Sequence, residues 1–206
     1  MLKVAINGFG RIGRVMFRTI EKNYQDQVEI AAINTSGSMP VEGWAHFLKY
    51  DTVYGKFLKN IETLPPVKSA EIGRIKIDDK VWPVLAEREP AKIPWSDYGV
   101  TTVLECTGVF RDHQADDHCR GSVKRVILSA PPKKDDIPVY LMGVNAADYQ
   151  GEKLISNGSC TTNCVAPVVK VMDEEFGFEE SMMLTVHAYT ASQEVVDGSH
   201  KDWRRG

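Results

Sequence analysis

The feature that most constrains this chain is a turn of three glycines joining an apolar strand to an amphipathic helix. Lys3 to Asn7 reads as a strand, and Gly8-Phe9-Gly10-Arg11-Ile12-Gly13 follows at once. Arg11 to Tyr24 then places Ile12, Val15, Met16 and Ile20 on one helical face, before a second strand at Val28 to Ile33. Strand, glycine turn, helix and strand in that order form a βαβ unit. In that setting Gly8 permits a tight turn, Gly10 lets backbone approach a pyrophosphate, and Gly13 lets helix and sheet pack closely, while the helix N-terminus offers unpaired N–H donors. Glycines at such a turn also occur for structural reasons alone, so the dinucleotide reading rests on the whole unit rather than on the spacing. After the second strand, where a carboxylate would bind a ribose 2'-hydroxyl, the chain reads Asn34-Thr35-Ser36-Gly37. Nothing there repels a 2'-phosphate, and the hydroxyls of Thr35 and Ser36 are expected to donate to one. The cofactor expected is therefore NAD or NADP.

The remaining elements extend the same architecture. A helical segment is expected around Gly43 to Lys49. An antiparallel insertion follows, in which Arg74 to Ile77 and Val81 to Val84 flank the turn Asp78-Asp79-Lys80. Buried strands are expected at Thr102 to Glu105, Arg125 to Leu128 and Val139 to Met142, with a helix from Asp112 to Arg120 between the first two. The fold class is α/β, a doubly wound, mostly parallel Rossmann-type sheet. The composition changes near Gly151. We take residues 1–158 as the dinucleotide-binding domain and 159–206 as the start of an α+β catalytic domain. That segment opens with a helix from Cys160 to Phe176, which has Val165, Val168, Val169, Met172 and Phe176 as its apolar stripe, Pro167 inside it and Gly177 as its C-cap.

Composition narrows the function classes. The 206 residues, 43% hydrophobic and 26% charged, suit one large or two small globular domains. A formal net charge of -3 argues against a dedicated nucleic-acid or membrane-surface protein. Met1 to Ile6 leads straight into a strand, and no run of about 18 apolar residues exists for a span. The four cysteines, Cys106, Cys119, Cys160 and Cys164, are too sparse for a disulfide framework, so a cytoplasmic, reducing setting is expected.

The second chemical feature is Ser159-Cys160-Thr161-Thr162-Asn163-Cys164. Cys160 sits where the chain enters its helix, so the helix N-terminus favours the thiolate. His187 ends an expected strand, Met182 to Val186, that would bring imidazole to sulfur and make a nucleophile with its acid/base partner. A buried structural cysteine and a core histidine are the alternatives. A zinc site is another, with Cys160, Cys164 and His187 as three ligands but no fourth at suggestive spacing.

Asn7 to Arg14, Ala86 to Pro90, Cys106 to Phe110, Ser129 to Pro131, Met142 to Asn145, Ser159 to Cys164 and Thr185 to Thr190 resemble, in order and spacing, glyceraldehyde-3-phosphate dehydrogenase. The resemblance implies a homotetrameric oxidoreductase that acts on glyceraldehyde 3-phosphate and inorganic phosphate with NAD or NADP. It implies that Cys160 is the nucleophile and His187 the base. It assigns Ser159 and Thr161 to inorganic phosphate and Thr190 to substrate phosphate. Asn7, Gly8, Gly10, Arg11 and Ile12 would form the pyrophosphate turn, Asn34 and Thr35 would contact the adenosine ribose, and Arg88 the adenine. Thr107, Gly108, Phe110 and Ser129 would face the nicotinamide. Some of these hydroxyls have an ordinary cap or turn role as their alternative. Erythrose-4-phosphate dehydrogenase shares most of the motifs, and an inactive nucleotide- or RNA-binding module and a cysteine hydrolase are further alternatives. The family's usual alanine before the nucleophile serine is Gly158 here, a change expected to loosen the turn. The resemblance reaches only part of a family member's length, so the chain reads as a fragment.

Overall fold

The structure is a computed structural model that describes residues 1–177 and 179–190. Its compact units are Met1–Lys170 and Val171–Gly206. The first is built on one eight-stranded sheet. β1 (Leu2–Asn7) and β2 (Val28–Asn34) are joined by α1 (Arg11–Asn23), and α2 (Val41–Lys49) follows. β3 (Ile61–Leu64), β4 (Glu71–Ile77) and β5 (Lys80–Leu85) form the antiparallel insertion. β6 (Thr102–Glu105), β7 (Arg125–Leu128) and β8 (Leu154–Ser156) complete the sheet, and α3 (Cys160–Phe176) leaves it. The spatial order is β3-β4-β5-β2-β1-β6-β7-β8, with β5, β2, β1, β6, β7 and β8 mutually parallel. β1 therefore lies between two runs that leave it in opposite directions, which is the switch point where doubly wound sheets open a crevice.

Both faces of the sheet are buried, which is why its central strands read as nearly unbroken apolar runs. Val4 and Ile6 pack one face against Phe17 and Ile20 of α1 and Trp44 of α2. Ala5 and Val103 face the other way, toward Trp95, Val100 and Ala115.

Three expected elements differ. Asp112 to Arg120 is a 3-10 helix confined to His113–His118. Asp112 caps it by accepting the Gln114 N–H, and the Cys119 N–H reaches back only to Asp116, because His118 is drawn into the core. Val139 to Met142 is no strand beyond a single bridge from Val139 to Ser156. The Asn145 side chain captures the backbone groups that a ladder would need, accepting from Leu141 N–H at 2.8 Å and donating to Val139 C=O at 2.9 Å. β8 takes the place beside β7 instead. Met182 to Val186 has no strand assignment, and Met182, Leu184 and Val186 are exposed. No strand among the described residues pairs with it. Among the described residues no helix is long and apolar enough to cross a membrane.

Candidate functional site

A cavity of about 520 Å³ opens where the turns after β1 and β6 part. Of the residues expected to hold a cofactor, Asn7, Gly8, Gly10, Asn34, Thr35, Arg88, Thr107 and Phe110 line it. Arg11, Ile12, Gly108 and Ser129 stand outside the lining. Arg11 is beside it, 3.4 Å from the Asp51 carboxylate. Backbone N–H bonds from Tyr54 and Val53, aided by Arg11 and Arg14, hold Asp51 below the usual carboxylate pKa. Ile12 is exposed, Gly108 forms the exposed turn after Thr107, and the Ser129 N–H donates to the Glu105 carbonyl at 3.0 Å.

The glycines of the first turn have separable duties. Gly8 has φ +93°, and a Cβ on it would stand 2.7 Å from the Thr107 nitrogen. A Cβ on Gly13 would stand 2.0 Å from the Gly8 carbonyl oxygen, so α1 approaches the turn too closely for any side chain. A Cβ on Gly10 would meet nothing within 4 Å. Gly10 is the N-cap of α1, with no side-chain cap and no acidic residue in the first turn. The first-turn amides of such a helix start lack intrahelical acceptors and can donate to an anion. The Trp44 indole N–H, in the same lining, is buried without an acceptor among the described residues. An open, uncapped helix end, a bare backbone at Gly10 and an orphaned donor fit a dinucleotide.

Beneath the cavity floor the strand ends are joined by buried polar side chains. Asn7 is in register with Asn34 of β2 and Glu105 of β6. The Asn34 amide donates to Asn7 Oδ1 and to the Glu87 carbonyl, both at 2.7 Å, and accepts the Glu87 N–H at 2.9 Å. Asn7 Nδ2 donates to Glu105, which also accepts the N–H and hydroxyl of Thr107. His118 Nε2 lies 3.2 Å from the same carboxylate, and its Nδ1 accepts the Trp95 indole N–H at 3.0 Å. Because an indole nitrogen can only donate, Nδ1 is the acceptor and Nε2 carries the proton toward Glu105.

These bonds revise part of the cofactor reading. Thr35 is buried, and its hydroxyl donates to the Leu85 carbonyl at 3.0 Å, so it has no proton left for a 2'-phosphate. The Asn34 amide is likewise fully engaged. Ser36, exposed and 2.9 Å from Ser38 Oγ, keeps its place at the rim, and Arg88 Nε donates to the Ser36 carbonyl at 3.2 Å. Sequence reasoning missed Glu105, His118 and Trp95. A carboxylate ending the buried run Thr102-Val103-Leu104 was a visible signal. His118 and Trp95 gave none, since only the tertiary fold brings them to Glu105.

The thiol turn is built differently. Ser159 Oγ accepts the Thr162 N–H at 2.9 Å and Thr162 Oγ1 accepts the Ser159 N–H at 3.2 Å, a reciprocal cap on α3. The Gly158 N–H donates to Ser156 Oγ at 2.9 Å and Asn163 Nδ2 to the Asn157 carbonyl at 2.7 Å. The turn is pinned, not loosened: Gly158 has φ +71°, a region that favours glycine over alanine. Cys160, exposed, is the first residue of α3, and Thr161 follows it half-buried. His187 and Thr190 are exposed and belong to the second unit, where the His187 ring lies against the Ala188 carbonyl. Burial pushes the Cys106 thiol, in the cavity wall, up to about 12.

Residues 2–113 match the family "Glyceraldehyde 3-phosphate dehydrogenase, NAD binding domain", and residues 159–206 match "Glyceraldehyde 3-phosphate dehydrogenase, C-terminal domain". Glyceraldehyde-3-phosphate dehydrogenase 1 of Bacillus cereus is 48% identical over 208 residues, covering all of this chain and 59% of that protein. The cytosolic enzyme of Leishmania mexicana is 44% identical over 208 residues, again covering all of the chain and 59% of the relative. A chloroplastic one of Arabidopsis thaliana is 44% identical over 207 residues, covering 99% of the chain and 44% of the relative. The chain thus spans about three fifths or less of the length of these curated relatives.

Proposed function

This chain belongs to the glyceraldehyde-3-phosphate dehydrogenase family, and we propose that it carries the cofactor site and the nucleophile of a phosphorylating aldehyde dehydrogenase. The reaction would convert glyceraldehyde 3-phosphate and inorganic phosphate to 1,3-bisphosphoglycerate. The observation that carries this reading is the pair of helix starts on one sheet: α1 opens on an uncapped glycine turn beside the cavity, and α3 opens on an exposed cysteine. The division into 1–158 and 159–206 is supported by the second family match, which begins at residue 159.

The chemistry follows from those groups. At the N-terminus of α3 the Cys160 thiolate attacks the aldehyde carbon and forms a thiohemiacetal. A bound NAD or NADP supplies the hydride acceptor. His187 takes the thiohemiacetal hydroxyl proton as the thioester forms, and the thioester conserves the oxidation energy until inorganic phosphate cleaves it and frees the thiol. Ser159 and Thr161 are proposed near that phosphate and Thr190 near the substrate phosphate. Because Ser159 caps α3, Thr161 and the first-turn amides are its stronger donors. Asn7 and Asn34 act from below the cleft, while Gly8, Gly10, Arg11, Ile12, Thr35, Arg88, Thr107, Gly108, Phe110 and Ser129 border the cofactor. Both NAD and NADP are proposed, with Ser36 and Arg88 as the groups nearest a 2'-phosphate. A cytosolic homotetramer completes the proposal.

The test is cofactor reduction, read by near-ultraviolet absorbance, with glyceraldehyde 3-phosphate, inorganic phosphate and NAD or NADP, against Cys160→Ala. Phosphate-dependent turnover that Cys160→Ala abolishes is expected. Turnover independent of Cys160 would overturn the assignment.

A further inference from the structure

The polar side chains at the floor of the cleft form one connected set that touches both of its ends, and its members Glu105, His118 and Trp95 have no part in the proposed chemistry. We propose that Glu105 is a positioning residue: through Thr107 it fixes the nicotinamide side of the cleft, and through Asn7 and Asn34 it fixes the adenine-side loop at Glu87, so that the two ends keep one spacing. This rests on the cofactor reading above.

Glu105 is 2% exposed, Asn7 2% and His118 1%, so the bonds among these three are shielded from bulk water. Four donors converge on the carboxylate: the Thr107 N–H and hydroxyl on Oε1, and Asn7 Nδ2 and His118 Nε2 on Oε2. A carboxylate accepts at both oxygens, whereas an amide at this place would turn an N–H toward one donor pair. On the other side, Asn7 passes the constraint to Asn34, which holds both backbone groups of Glu87. In-register neighbours on β2, β1 and β6 put Asn34, Asn7 and Glu105 at one level of the sheet. Trp95 anchors the far end by fixing the tautomer of His118. A network needed only for stability would not have to end on backbone amides at both rims of a cavity.

The experiment compares the full 206-residue chain with Glu105→Gln, reading amide hydrogen exchange without ligand and NAD affinity by calorimetry well below the unfolding temperature. Exchange at the Thr107 and Glu87 amides should accelerate together while Ile6 and Val103 are unchanged. NAD binding should weaken by about tenfold, the scale of one charge-assisted hydrogen bond. Adding Asn7→Asp exchanges donor for acceptor between the two positions and gives His118 Nε2 an acceptor again, so the double variant should regain most of both. If Glu105→Gln does not fold, Thr107→Val on the exposed turn serves: AMP affinity should fall although the change lies at the opposite end. A lowered unfolding temperature with unchanged NAD affinity and unchanged local exchange would overturn the positioning role and leave the cofactor reading intact. No NAD uptake by the folded wild-type chain would overturn the cofactor reading and the role with it.

Discussion

The two helix starts that carry chemistry both follow a parallel strand, yet they dispose of their polar groups in opposite ways. The turn into α1 leaves its first-turn amides without a side-chain cap, and its glycines clear space that only backbone borders. The turn into α3 closes on itself, with Ser159 and Thr162 capping each other and Asn163 tying the loop down. One start leaves its first-turn donors to the cofactor; the other ties down the Ser159 and Thr162 N–H groups with side chains and presents Cys160 as its reactive group. An unsatisfied helix end signals binding, whereas a satisfied one holds a nucleophile still.

Substitutions at glycine break this comparison most strongly. Gly13→Ala forces a methyl to 2.0 Å from the Gly8 oxygen, and a loss of about 3 kcal/mol of stability is expected in denaturant unfolding. Gly10→Ala, whose methyl meets open space, should change stability by no more than about 1 kcal/mol while lowering NAD affinity measurably, since the methyl stands where phosphate would approach. Equal stability losses at the two positions would erase the distinction between a packing glycine and a ligand glycine.

At the closed turn, Ser159→Ala should cost about 1 kcal/mol by removing the cap, and Ser159→Asp, a cap of equal strength, should restore it. A stability unchanged by Ser159→Ala would show the cap to be idle.

The smallest effect lies away from both turns. Asp116 first, then Asp136, raise the His113 pKa in the folded chain. The resulting stabilisation is present below the ordinary histidine value of 6.5 and fades as pH rises through the raised value. His113→Gln should therefore lower the unfolding temperature slightly in acid and leave it unchanged above that window. A deficit that grows with pH would refute the sign.

Much of this was legible in the sequence because it is local. The strand, glycine turn and helix of residues 3–24 announce themselves by period and turn chemistry, and α3 runs from Cys160 to Phe176 with Gly177 in the left-handed cap conformation, although Val168, Met172 and Phe176 of its apolar stripe are exposed. What failed were the side-chain hydrogen bonds that composition and period do not show. Val139 to Met142 has strand composition, but Asn145 takes its backbone groups. Thr35 looked like a donor at the rim until the fold turned its hydroxyl onto Leu85. Glu105 needed two strands, β1 and β6, and a 3-10 helix to assemble before its four donors could be seen.

The central claim is that the start of α1, and not the start of α3, receives the pyrophosphate of the cofactor. Titrating the folded chain with ADP-ribose and following backbone amide resonances tests it directly. The account predicts saturable shifts at Gly10, Arg11, Ile12 and Gly13 with Cys160, Thr161 and Thr162 unmoved; shifts confined to Cys160–Thr162, with the glycine turn silent, would contradict it.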